Sequence, residues 1–201
     1  VGGTQSTGYE ISNSLRFNSS DDSELTKTFG SAGGDTWSYS CWVKRSDISE
    51  QGHGLLKANS SAGLYFLSSG ALVINDDGAS AHTSTKLFRD TSAWYHILFT
   101  GNGTTNKVYV NGSEISFDNG TPNIGDINNN VAHSISKSPA GVEHMDGYLA
   151  EIHFVDGTEK APTDFAETND NGVWVPIKYT GSYGTNGFHL QFKQTGTSAN
   201  A

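Results

Sequence analysis

From Leu15 to Phe192 the apolar residues fall in short runs that alternate with polar ones, and most runs stop at Gly, Asn, Asp or Ser. A period of two puts successive side chains on opposite faces of a strand. A helix would need apolar positions three and four apart over ten or more residues. No stretch of that length keeps the helical spacing. Thr36–Arg45 is the clearest strand: Trp37, Tyr39, Cys41 and Val43 share one face, and Ser38, Ser40, Trp42 and Lys44 the other. Lys107–Phe117 is the strongest local signal, because two alternating arms flank Asn111-Gly112, a preferred pair for a type I′ hairpin turn.

Further strands are predicted at Leu15–Phe17, Leu55–Leu56, Leu64–Leu67, Ala71–Asn75, Trp94–Thr100, Val131–Ser136, Gly147–Val155 and Gly187–Phe192. In Gly147–Val155, strict alternation sets Tyr148, Ala150, Ile152 and Phe154 opposite Leu149, Glu151, His153 and Val155. Asn75-Asp76-Asp77-Gly78 reads as a turn. Only Ala161–Glu167, opening at Pro162, suggests a helix, of about two turns. Short strands and frequent turns predict an all-β, antiparallel two-sheet sandwich over residues 14–193, with one short helix near 161–167. Residues 1–13 read as a flexible lead-in arm and 194–201 as a flexible tail, the whole being a portion of a longer polypeptide. Expected core residues are Trp37, Tyr39, Cys41, Trp94, Ile97, Val108, Val110, Ile152 and Phe154.

Composition agrees. Gly, Ser, Thr and Asn make up about 42% of the 201 residues, whereas charged residues are only 16%, against a usual share of about 25%. A helical bundle needs more Glu, Lys and Arg on its surface than this chain has. With a net charge of −9 the chain has no electrostatic basis for nonspecific nucleic-acid binding. No run of about 18 apolar residues suggests membrane insertion. The single cysteine excludes an intramolecular disulfide and a multi-cysteine zinc site.

Catalytic signatures are sparse. There is no Gly-x-Ser-x-Gly elbow, no His-Glu-x-x-His and no Walker sequence, and Gly101-x-Gly103 lies between two strands. A sandwich glycosidase wants two carboxylates facing one cleft. The nearest approach is Glu151-Ile-His153, with one carboxylate and one imidazole, so no catalytic residues are assigned and the chain is read as a non-enzyme. The seven histidines have no zinc spacing and His144-Met-Asp146 stands alone, so no transition metal is expected. Calcium takes carboxylate and amide oxygens from loops; the donors for it would be Asp76, Asp77, Asp126 and Asn128.

The 22 aromatic residues exceed what catalysis needs, and most should fill the core. Trp42, on the face opposite Cys41, reads as an exposed indole suited to an interface or a ligand. Trp174, Tyr179 and Tyr183 sit in a Gly- and Pro-containing segment with little alternation. That segment either anchors a long loop onto the sandwich or reads glycans, with sugars stacked on the rings and Asn or Asp binding hydroxyls. The candidate ligand-binding residues are therefore Trp42, Asp76, Asp77, Trp174, Tyr179 and Tyr183.

Several stretches resemble a known family. Asn-Ser-Leu-Arg-Phe-Asn at 13–18, Trp-Ser-Tyr-Ser-Cys-Trp-Val-Lys-Arg at 37–45, Ala-Trp-Tyr-His-Ile at 93–97, Lys-Val-Tyr-Val-Asn-Gly at 107–112 and Asp-Gly-Tyr-Leu-Ala-Glu-Ile-His-Phe-Val-Asp-Gly at 146–157 are similar to the laminin G-like, concanavalin A-like jelly roll. Gly-Val-Trp-Val-Pro at 172–176 and the stretch 179–192 resemble a branch found in virion proteins of marine tailed bacteriophages. Where cellular laminin G-like relatives usually carry an Asp before the Glu, this chain has Ala150. The resemblance implies a virion-surface protein, a fibre or surface module whose lectin-like sandwich contacts host-surface carbohydrate. The alternative it implies is a structural capsid or tail decoration subunit that binds other virion proteins. Like copies, most simply three, are expected to associate.

Overall fold

In a computed structural model, residues 8–49, 52–59, 62–75, 81–120, 124–137 and 144–194 are described. They form β1 (Leu15–Phe17), β2 (Leu25–Thr28), β3 (Thr36–Arg45), β4 (His53–Ala58), β5 (Ala62–Phe66), β6 (Ala71–Asn75), β7 (Ala81–Leu87), β8 (Tyr95–Asn102), β9 (Asn106–Val110), β10 (Ser113–Glu114), β11 (Ala132–Ser136), β12 (Gly147–Asp156), β13 (Ala166–Thr168), β14 (Trp174–Pro176) and β15 (Phe188–Leu190).

One sheet runs β1-β12-β3-β8-β9-β10, with β15 also paired to β12; the other runs β2-β11-β4-β5-β6-β7. All the strand pairs are antiparallel. Their facing sides enclose one apolar core in which Trp37, Tyr39, Cys41 and Val43 of β3 meet Leu55, Leu64, Phe66 and Leu72 of the opposite sheet. The Tyr39 hydroxyl donates to the Leu55 carbonyl at 2.8 Å, tying the sheets together where the ring is buried. Burial pushes the Cys41 thiol up to about 12, so it is a core residue with an inert sulfur. Between the strands, Asn18, Asp47, Asp90, Asn102 and Asn169 each accept a hydrogen bond from the backbone N–H two residues on. These local turns show why Asn and Asp recur between the strands.

A third layer covers the outer face of the first sheet. The β13–β14 hairpin and the segment after it lay Phe165, Ala166, Trp174 and Tyr179 over Trp42, Leu98, Ala150 and Val155. Two expectations change here. The region 161–167 is a single 3-10 turn at Pro162–Asp164, closed by the Asp164 carboxylate accepting from the Ala161 N–H at 2.8 Å. A longer helix does not form, because Ala166 pairs with Pro176 in β13–β14 and Phe165 is drawn onto Leu98 and Val155. Trp94, expected in the core, is 38% exposed. It precedes the first β3–β8 pair, Val43↔Tyr95, and shares the outward parity of His96 and Leu98.

β12 does not alternate strictly either. Its register on β3 shifts between Ala150, opposite Trp42, and His153, opposite Ser40. Glu151 is the extra residue and sits at φ +46°, a bulge that reverses the phase of everything after it. Leu149, Ile152 and Phe154 therefore share the main core, while Ala150, His153 and Val155 face the third layer.

Candidate functional site

The bulge builds a polar cluster on the outer face of the first sheet. β1 and β15 both pair with the free edge of β12, β1 up to Leu149 and β15 from Ile152 onward, so Glu151 lies at the junction. His189 of β15 is registered against His153, and their rings stack at 4.1 Å. One carboxylate oxygen of Glu151, Oε2, takes a hydrogen bond from the Tyr9 hydroxyl at 2.7 Å. It also lies 2.7 Å from His189 Nε2 and 3.5 Å from His153 Nε2. His153 Nδ1 is 2.8 Å from the Tyr183 hydroxyl. Burial alone would raise the Glu151 pKa, but hydrogen bonds with His153, His189 and Tyr9 outweigh it and hold the carboxyl well below the usual range. Burial lowers His153 despite Glu151. The Tyr9 hydroxyl is pushed up to about 12, first by burial and then by its hydrogen bond to Glu151. The end of the segment read as a lead-in arm is thus held on the sandwich by Tyr9, and Ile11 packs beside Trp42 and Trp174.

A second buried imidazole lies under the same layer. The Trp174 indole N–H donates to His96 Nδ1 at 3.1 Å, which leaves Nε2 to carry the proton and donate to Ser40 Oγ at 2.9 Å. Burial, with help from nearby His153, holds His96 down at about 3, so it is a neutral structural bridge.

Of the predicted ligand residues, Trp42 is 8% exposed and so is no open platform: Ile11, Ala166 and Trp174 cover it. Tyr179 and Tyr183 pack on Phe165 and His153. The segment's rings anchor it to its own sandwich. Asp76 and Asp77 lie outside the described residues. Asp126 and Asn128 have protein partners. The Asn128 side chain donates to Gly34 O and Asp156 Oδ1 and accepts from Asn186, while Asp126 accepts from Asn59. His144 faces Asp22, at 3.2 Å.

Two concave surfaces stand out among the described residues. One is an apolar groove of about 980 Å³ along the open side of the sandwich, lined by Leu25, Phe29, Ile135, Phe154, Phe188 and Phe192 among others. The other, of about 320 Å³, is lined by Trp94, Trp42, Ile11, Ala150 and Pro176 and by the strip Ser12-Asn13-Ser14. Trp94 also lies 6.5 Å from the Tyr148 ring. Sequence reasoning missed this cleft because it placed Trp94 inside and the strip in a free arm.

Two sheets joined as described suit many ligands, but the sequence match is narrower. A laminin G family model, described as the concanavalin A-like lectin/glucanases superfamily, matches residues 17–162. The chain belongs to that superfamily. No curated protein sequence matches it. Among solved structures of similar shape, a proposed carbohydrate binding protein from Bacteroides ovatus ATCC 8483 is 14% identical, with a TM-score of 0.51. The alignment covers 68% of this chain and 42% of that one. Trypanosoma rangeli sialidase, solved with the inhibitor DANA, is 15% identical with a TM-score of 0.56, over 77% of this chain and 27% of that one. This superfamily member therefore spans less than half the length of either protein, and at such identities the likeness is one of fold.

Proposed function

We propose that this chain is a non-catalytic carbohydrate-binding module, displayed on the surface of a tailed-phage particle, where neighbouring copies present it to host-surface glycan. The observation that carries the reading is the Trp94 cleft. A 38%-exposed indole and the strip Ser12-Asn13-Ser14 line one cleft of about 320 Å³, a size within the usual range for small-ligand sites. The ring offers an apolar face to sugar C–H groups, and the strip offers hydroxyls and an amide to sugar hydroxyls. Lectins within the superfamily and the carbohydrate-binding description of the Bacteroides ovatus protein support this. The virion setting rests on the phage-like stretches 172–176 and 179–192. Weak single contacts would sum through multivalency if copies sit side by side.

The non-catalytic part rests on Glu151. Its partners are Tyr9, His153 and His189, whereas two-carboxylate glycoside hydrolysis needs a second acid at a fixed distance. A glycan array probed with a multivalent display of the chain should show binding to a restricted set of glycans. Trp94→Ala should abolish that binding and leave stability within about 1 kcal/mol, since the ring is outside the core. Binding unchanged by Trp94→Ala, or sugar release from a bound glycan, would overturn the reading. Absence of the chain from purified particles, by mass spectrometry, would remove the virion setting.

A second reading, a structural subunit that binds other virion proteins, is favoured by the apolar groove. It expects the groove to be covered by a neighbouring protein in the assembled particle.

A further inference from the structure

The Glu151 cluster has a geometry that the histidine spacing in the sequence did not announce. One ring nitrogen each of His153 and His189 and a Glu151 carboxylate oxygen all lie within 4.8 Å of one another, the one group of three such donors brought together among the described residues. We propose that these three side chains bind one divalent transition-metal ion, zinc being the best fit, and that the ion clasps the C-terminal strand β15 to the bulge of β12.

Three observations carry this. The first is the donor set. Two imidazole nitrogens and one carboxylate oxygen are ligands that zinc takes, and a tetrahedral ion with bonds of about 2.0–2.1 Å needs its donors about 3.3 Å apart. The distances from Glu151 Oε2, 2.7 Å to His189 and 3.5 Å to His153, bracket that spacing. The two rings stack at 4.1 Å, so the seat opens when the imidazoles rotate out of that stack and turn one nitrogen each towards the ion.

The second is outer support. A ligating imidazole is normally oriented by a partner on its other nitrogen, and here the Tyr183 hydroxyl sits on Nδ1 of His153, so Nε2 is the atom turned towards the cluster. The Tyr9 hydroxyl steadies the carboxylate. A bulge with a non-glycine residue at φ +46° is the backbone device that aims Glu151 there.

The third is charge. The Glu151 side chain is 7% exposed and that of His153 5%. The ion-pair partners of Glu151 among the described residues are these two histidines, with no lysine or arginine. A cation placed between a buried carboxylate and two imidazoles supplies the missing positive charge. The His189 side chain is 24% exposed and forms the side from which an ion would arrive.

The clasp would join three pieces distant in sequence: the arm through Tyr9, β12, and β15. The test uses the whole chain, stripped with a chelator, dialysed and titrated with zinc chloride. One ion per chain should bind, and the melting temperature should rise by roughly 5–10 °C at a hundredfold excess over Kd. His189→Ala should weaken binding at least tenfold, while His82→Ala, at a half-buried histidine on the other sheet, should not. If His189→Ala fails to fold, imidazole 15N spectra of the unmodified chain give the answer. Zinc should shift Nε2 of His153 and His189 and leave His82 in place. Absence of stoichiometric binding, binding equally strong in folded His189→Ala, or shifts confined to other histidines would overturn the proposal.

Discussion

Gly112 meets two demands at one position. It stands at φ +80° as the second residue of the Asn111-Gly112 turn, and Asn111 at φ +48° completes the type I′ pair. A Cβ there would also lie 2.8 Å from ring atoms of Trp174, so the turn doubles as the seat of the indole that reaches His96. The turn was readable from two adjacent letters. The seat was not, since Trp174 is 62 residues further along the chain. Gly112→Ala should therefore cost more than the roughly 1–2 kcal/mol of a left-handed alanine, and it should displace Trp174. Urea unfolding followed by tryptophan fluorescence checks both; a loss under about 0.5 kcal/mol with an unchanged native spectrum would show that the indole does not depend on this glycine. Trp94 gives the converse lesson. Its parity with His96 and Leu98 put it on the outward side, yet an aromatic beside a buried run reads as core when nothing shows where the covering layer ends.

At the scale of elements, strands with apolar alternation were legible and strands without it were not. β3 matches the expectation residue for residue, and the Asn111-Gly112 hairpin forms, although its second arm is a strand only over Ser113–Glu114 before Phe117 bridges Ser84 of β7. β2 and β7 escaped notice because they are sheet edges. Leu25-Thr-Lys-Thr and Ala-His-Thr-Ser-Thr-Lys-Leu are mostly exposed, so no hydrophobic period marks them, and Lys27 and Lys86 suit edges that must resist further pairing. The bulge in β12 also defeated a period-two reading, for one extra residue flips every later side chain. Deleting Glu151 should consequently turn Ile152 and Phe154 out of the core, and the loss should exceed about 4 kcal/mol. Glu151→Gly keeps the extra residue and suits the positive φ, so its cost should be far smaller. Denaturation midpoints of the two variants provide the comparison, and equal stabilities would mean that the bulge does not set the register.

The whole molecule is a sandwich with a third layer, and its buried histidines tie stability to pH. His53 is held down at about 4, mainly by burial and then by the Arg45 charge, and His96 at about 3. Both would titrate near 6.5 in an unfolded chain. Between those values the unfolded chain binds protons that the folded chain does not, so stability is full above about pH 6.5 and declines as pH falls towards 3–4. The melting temperature should trace that slope, and a His53→Asn, His96→Asn variant should flatten it across the same window; an unchanged slope would refute the assignment. The sequence by itself determined the all-β class, the main strands, the Asn-Gly hairpin and eight of the nine residues expected in the core, because these follow from alternation and turn chemistry between near neighbours. It also showed the Glu151–His153 pair. Only the tertiary structure decided that His189 and Tyr9 complete that cluster, that Trp42 is covered and that Trp94 is open. Those outcomes depend on a bulge and on a layer folded back from the C-terminal third, contacts between residues too distant in the chain for any local period to encode.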